Sequence, residues 1–211
     1  VNRYYQGRQF GANSSYIDVT PGGKDSGYMN VNATRTGYYL AKFMNTVADF
    51  LKPLEEQDSR HYNPMLRKAE VWLNFAEASN EAFGPKVVGP GCTKSAYDVI
   101  KIIREKSGGI TDVTYLDEMA ASKETFRTLI QNERRIEFAF ENQRFWDLRR
   151  WLLPLNEPIY GMRVTRDGSG DDVFEVVKVE DRPLNDVRYY YMPLPYLEVQ
   201  KNPNLINNKG W

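Results

Sequence analysis

Glu133 and Glu137 are the residues whose type and spacing could do chemistry. Four positions apart, they would share one face of a helix, where a pair of carboxylates could act as general acid and general base. This interpretation requires both carboxylates to face an open cleft, whereas Phe140 on the same face predicts burial. The enzymatic hypothesis would gain support from turnover that Glu133→Gln abolishes.

The surrounding residues 133–151 favour a structural role instead. This stretch holds five arginines and four carboxylates, so its charges nearly cancel, which is not typical of a phosphate-binding cradle. Opposite charges recur one helical turn apart, and the arginines alternate with large aromatic residues. We predict a partly buried ion-pair network and no catalytic residues. Its members are Glu133, Arg134, Glu137, Arg144, Asp147 and Arg150.

The elements that must position these residues are mainly helices. A long helix begins after a capping Ser122, breaks near Asn142-Gln143 and resumes up to Pro154. Before it, helices are predicted over 37–52, over 64–83 after the Asn63-Pro64 start signal, and from a Thr93 or Ser95 cap to Ser107-Gly108-Gly109. The second of these should bury Leu66, Ala69, Leu73, Ala76 and Phe83, and the third Ala96, Val99, Ile100 and Ile103.

Three stretches are predicted to be non-helical. Residues 110–121 should form a loop, and two runs rich in β-branched residues flank the turn at Asp167-Gly168-Ser169-Gly170, which predicts a hairpin near 160–179. Residues 189–211 should form an extended, docked tail. The two helices joined by a short connector resemble a tetratricopeptide unit in spacing, although the tetratricopeptide consensus is not visible.

Composition excludes several classes of protein. Lysine plus arginine equals aspartate plus glutamate at 28 each, so nothing in the charge favours nucleic acid. The single Cys92 excludes an internal disulfide, and the single His61 disfavours a histidine metal centre or a histidine-based triad. We predict no metal and no cofactor. Val1 has no signal segment after it, so we expect it to be a cut point in a longer protein whose N-terminal part is missing.

Residues 1–36 are predicted to be an irregular loop region rich in Gly, Asn, Ser and Tyr. Tyr4, Tyr5 and Tyr28 could offer ring faces on which a sugar stacks, since a tyrosine combines an apolar face with a polar tip. The alternative is that these tyrosines only anchor an irregular segment to the rest of the protein.

Several motifs together resemble the C-terminal half of the SusD/RagB family of surface nutrient-binding lipoproteins of Bacteroidetes. The most specific are Glu133-Arg134-Arg135-Ile136-Glu137-Phe138 and Arg144-Phe145-Trp146-Asp147-Leu148-Arg149-Arg150-Trp151. Others are Thr36-Gly37-Tyr38, the helix from Arg67 to Ala78, Ile103-Arg104, Met192-Pro193-Leu194-Pro195 and Asn207-Asn208-Lys209-Gly210-Trp211. The resemblance runs from about residue 36 to the end and implies a SusD-like helical domain over 37–211.

This resemblance implies a mainly α fold: a tetratricopeptide-like scaffold with a small hairpin and long irregular loops. Family members are held at the outer-membrane surface by an acylated N-terminal cysteine, cap a SusC-like TonB-dependent transporter and pass it oligosaccharides or, in some members, peptides. They are binders and not hydrolases. We therefore expect non-catalytic glycan binding, with membrane attachment only through a lipid anchor outside this sequence. The alternative is a helical-repeat scaffold that binds protein or peptide without glycan.

Overall fold

A computed structural model describes residues 17–23, 25–27, 31–40, 42–43 and 64–211. The chain forms two compact units. The first comprises residues 62–144, and the second comprises residues 145–211 with the described residues before position 44. The division falls inside a helix, between Arg144 and Phe145.

The described part of the chain is mainly helical with one small sheet, as the sequence predicted. In chain order the elements are α1 (Lys68–Phe83), α2 (Ala96–Gly108), α3 (Thr114–Met119), α4 (Lys123–Glu137), α5 (Gln143–Arg150), β1 (Ile159–Arg166), β2 (Asp172–Glu180), a 3-10 turn (Val187–Tyr190) and α6 (Tyr196–Lys201).

The core of the first unit is formed where α1, α2 and α4 pack together. Ala76 of α1 and Ala96, the first residue of α2, are both fully buried, and their small side chains allow close packing. Burial of each large aliphatic or aromatic side chain contributes about 1.5–3 kcal/mol. The buried set is Leu73, Ala76, Ala96, Val99, Ile100, Ile103, Leu116, Phe126, Leu129, Ile130 and Phe138.

The start of α2 is fixed by a reciprocal capping arrangement. The Ser95 hydroxyl oxygen accepts a hydrogen bond from the Asp98 amide, and the Asp98 carboxylate accepts bonds from the amide and hydroxyl of Ser95. These bonds satisfy amide groups that the first helical turn would otherwise leave unpaired. Ser95, one of the two predicted caps, is therefore the cap of α2.

The predicted boundaries of α1 and α4 need correction. α1 begins at Lys68 and not at Pro64, and Leu66 and Phe83 are 67% and 45% exposed, so neither joins the core. α4 ends at Glu137, earlier than predicted, because Phe140 and Asn142 adopt positive φ angles of 64° and 61° that no α-helix accommodates. Phe140, predicted to be buried on the helix face of Glu133 and Glu137, therefore lies beyond the end of α4 and is 60% exposed.

The loop predicted over 110–121 and the start of the helix predicted over 37–52 also differ from the structure. Residues 114–119 form α3 inside the predicted loop, and Leu116 of this helix is buried in the core. Residues 37–40 and 42–43, predicted as a helix start, are not helical, with Phe43 at a φ of 58°. The other residues of the helix predicted over 37–52 lie outside the described residues.

In the second unit, the loop formed by the described residues between 17 and 40 lies against strand β1 of the hairpin. β1 and β2 pair antiparallel, with Gly161 opposite Val177 and Arg163 opposite Glu175. The Met162 amide donates to the Thr36 carbonyl oxygen over 2.8 Å. A Cβ at Gly161 would lie 2.7 Å from that same oxygen, so the absent side chain is what allows the loop to approach β1.

The end of the chain lies against residues 188–194. The indole N–H of Trp211 donates to the Arg188 and Tyr191 carbonyl oxygens over 3.2 and 3.1 Å, and the ring makes an edge contact with Tyr189. The Asn207 side-chain oxygen accepts from the Leu194 amide.

Among the residues that the structure describes, no helix is long and apolar enough to cross a membrane.

Ser95→Ala should lower the free energy of unfolding by about 1 kcal/mol, because it removes the acceptor for the Asp98 amide. Urea denaturation followed by circular dichroism measures the loss. Ser107→Ala, an exposed serine near the other end of α2, is the matched control and should change stability little. An equal loss in both variants would contradict the capping role.

Asp98→Asn should destabilise the protein at neutral pH and destabilise it less in acid. Hydrogen bonds from the Ser95 amide and hydroxyl lower the pKa of Asp98 below its ordinary 3.8. The stability from the ionised carboxylate is therefore present above pH 3.8 and is lost as the pH falls through the native pKa. Denaturation at pH 7 and pH 3 should show the difference from wild type shrinking, while Asp171→Asn, at an exposed carboxylate, shows none at either pH.

Candidate functional site

Arg67 is the centre of the ion-pair cluster in the first unit. Its Nε and Nη2 donate to the two carboxylate oxygens of Glu141 over 2.8 and 2.7 Å, and its Nη1 donates to Glu137 over 2.9 Å. Nη2 also reaches the Glu137 carbonyl oxygen at 3.0 Å, and the guanidinium lies over the Phe138 ring. Arg67 thus binds the last turn of α4 and the residues after it through a planar fork of donors.

Glu133 forms a second pair one turn earlier on α4. Its carboxylate lies 3.2 Å from Nη1 of Arg104 on α2, and both side chains are largely buried. Burial raises the pKa of Glu133, against the opposing effect of the Arg104 charge. The pair joins α2 to α4 beside the apolar core.

The other predicted network members are divided between the two units. In the first unit, Arg134 is 3% exposed and donates to the Asn74 side-chain oxygen over 2.6 Å. In the second unit, the buried Asp147 lies 2.8 Å from Nε of Arg150. Arg144 lies in α5 at the end of the first unit.

Several partners of these charges were not identified from sequence. Arg67, Arg104 and Asn74 lie 29 to 74 positions away from the groups they contact. The prediction considered only charges one turn apart, and of those pairs the Asp147–Arg150 contact is present. Arg67 and Arg104 occur in the family-like motifs, which was the available signal, but no sequence pattern indicates which carboxylate each would meet.

The geometry does not give Glu133 and Glu137 the open cleft that acid–base chemistry requires. Glu133 is 8% exposed, and each carboxylate has its own arginine partner, Arg104 for Glu133 and Arg67 for Glu137. Within the described residues there is also no group of three or more side chains that could hold a metal ion. These carboxylates act as parts of helix-to-helix contacts.

Tyr4, Tyr5 and Tyr28, predicted to touch ligand, lie outside the described residues. The described residues of the second unit instead contain a cavity of about 250 Å³ between the loop and the hairpin. It lies where described residues of the loop, from Val19 to Gly37, meet β1 and β2. Its lining residues are Val19, Asp25, Ser26, Gly27, Thr34, Arg35, Gly37, Met162, Arg163, Val177, Lys178 and Val179.

The position of Asp25 in this cavity wall is set by a compact loop. Its carboxylate Oδ2 accepts from the Asp18 amide at 2.8 Å, and its own amide donates to the Asp18 carbonyl oxygen at 3.0 Å. The Tyr39 hydroxyl donates to the Asp25 carbonyl oxygen at 2.7 Å. Sequence analysis did not single out Asp25, because its importance depends on contacts with residues up to 14 positions away.

Arg67→Ala should lower the free energy of unfolding by about 3 kcal/mol, because it leaves the Glu137 and Glu141 carboxylates, each 13% exposed, without their guanidinium. Arg127→Ala is the matched control. Arg127 also binds a carboxylate with two bonds, to Glu81, but both side chains are 40% exposed, so the loss should be about 1 kcal/mol at most. Chemical denaturation of both variants would contradict this role if their losses were the same.

The SusD family model matches residues 2–211. SusD-like protein P2 of Formosa agariphila is 32% identical over 161 residues, covering 74% of this chain and 27% of that protein. SusD-like protein P25 of the same organism is 29% identical over 175 residues, covering 81% of this chain and 27% of that protein.

A solved structure gives the same result for the fold. The crystal structure of a SusD-like protein from Bacteroides fragilis superposes with a TM-score of 0.75 at 31% identity, covering all of this chain and 38% of that chain. The chain thus spans about a quarter of the length of the curated relatives it matches. The match of the family model over almost the whole sequence shows that this chain belongs to the SusD family.

Proposed function

We propose that this chain is part of a protein that binds oligosaccharides at the cell surface, without catalysis, and delivers them to a SusC-like TonB-dependent transporter. The observation that carries the proposal is the family match over residues 2–211. Attachment to the outer membrane would be through a lipid anchor outside this sequence.

The chemistry of the described residues supports binding without turnover. The clustered acidic residues of the first unit are engaged by arginines, so they hold helices together and do not meet a substrate. A binder of neutral saccharides needs hydrogen-bonding groups beside apolar surface, and the loop and hairpin of the second unit offer both at one cavity. The stacking of a sugar on Tyr4, Tyr5 and Tyr28 remains a prediction from the sequence.

Native affinity electrophoresis tests this function. The protein is run through gels that contain different polysaccharides, and a reducing-sugar assay follows on the same samples. We expect retardation by at least one polysaccharide without new reducing ends, because capture involves no bond cleavage. Bovine serum albumin in the same gels controls for sieving.

Two results would contradict the proposal. New reducing ends would indicate a hydrolase. No retardation in any gel, together with co-purification of the transporter, would favour the alternative of a peptide-binding or transporter-lid scaffold.

A further inference from the structure

The loop–hairpin cavity of the second unit combines fixed hydrogen-bonding groups with aliphatic walls. Val19, Val177 and Val179 supply the apolar part. Asp25 and Arg35 supply an acceptor and a donor, respectively. Small-molecule sites characteristically pair a mostly apolar lining with a few placed polar groups.

Both polar groups keep capacity for a ligand. Asp25 uses Oδ2 for the Asp18 amide, and Oδ1 has no hydrogen-bond partner in the described part of the chain. Arg35 uses Nη1 for Glu180 and Nη2 for the Val179 carbonyl oxygen. Since a guanidinium has five N–H donors, three remain without a partner among the described residues.

The charges around the cavity favour a neutral ligand. Arg35 is paired with Glu180 at 3.1 Å, and Arg163 with Glu175 at 3.2 Å. Because neighbouring strand residues point to opposite faces, Lys178 projects away from the face that Arg163 and Val177 share, and its amine binds Asp181. An anionic ligand would gain little from guanidinium groups that are already neutralised, and the Asp25 carboxylate in the cavity wall would repel it.

The size and lining limit the ligand to one small ring. A volume of about 250 Å³ corresponds to roughly eight waters of liquid. None of the described lining residues is aromatic, so these residues offer no ring face on which an extended saccharide could stack. Vicinal hydroxyl groups, however, can donate to a carboxylate oxygen and accept from a guanidinium, while the C–H groups of the ring contact valines.

We propose that this cavity is a subsite for a single neutral pyranose residue, held by the Asp25 carboxylate and the Arg35 guanidinium. This inference rests on the proposed function, because it assigns a saccharide as the ligand. To that function it adds the location of one binding site and the size and charge of the ligand unit bound there.

The test is an NMR titration of the protein with methyl β-D-glucopyranoside, methyl β-D-galactopyranoside, methyl α-D-mannopyranoside and methyl β-D-glucuronide. We expect at least one neutral glycoside to bind with a Kd of about 1–10 mM, as weak association of a small ligand implies, and the glucuronide to bind more weakly. Absence of binding by all three neutral glycosides, or tighter binding of the glucuronide, would overturn the inference.

Asp25→Asn provides the decisive variant. The amide oxygen can still accept from the Asp18 amide, so the loop is kept, while the free acceptor becomes a donor. We expect affinity for the neutral glycoside to fall at least about tenfold, since a hydrogen bond to a charged group is lost. Asp171→Asn, the same change outside the cavity, should leave affinity unchanged. Equal affinity of Asp25→Asn and wild type would overturn the assignment.

Arg35→Met and the polysaccharide gels separate the two proposals. Arg35→Met removes the guanidinium donor and should therefore also weaken glycoside binding. The ion pair that it breaks, with Glu180, is exposed and contributes little to stability. If a polysaccharide retards wild type and Asp25→Asn equally, the proposed function stands and the subsite fails. If glycosides bind but no polysaccharide retards the protein, the subsite stands and the proposed function fails.

Discussion

The guanidinium of Arg67 binds the point where the backbone leaves α4. Two carboxylates and one carbonyl oxygen converge on it just before the positive φ angles of Phe140 and Asn142. A helix end exposes carbonyl groups that need donors, and residues in left-handed conformations are strained unless their surroundings hold them. Because Arg67 immediately precedes α1, one side chain fixes the start of one helix relative to the end of another.

This arrangement explains why a sequence rich in charged residues does not form a reactive centre. An ionised carboxylate is costly to bury unless it is paired and hydrogen-bonded. Glu133 and Glu137 each meet a different arginine from another part of the chain. The relatives that match this chain are several times longer than it is.

Local patterns predicted what local forces determine. The Ser95 and Ser122 caps and the buried face of α2 depend on neighbouring residues and a fixed period, and the structure has them. The errors occurred where distant contacts decide: α3 forms because Leu116 is buried in the core, and α4 stops where Arg67 engages it. The cavity could not be predicted, since Asp25 and Val177 are brought together only when the loop packs on the hairpin.

The two-stranded hairpin has a consequence for handling the protein. Within the described residues β2 pairs only with β1, and Phe174 and Val176 are 50% and 65% exposed. A strand edge rich in β-branched and aromatic residues is a template on which other chains can add and aggregate. Glu175 and Lys178 interrupt this apolar run with charges, which is the placement by which gatekeeper residues oppose such association.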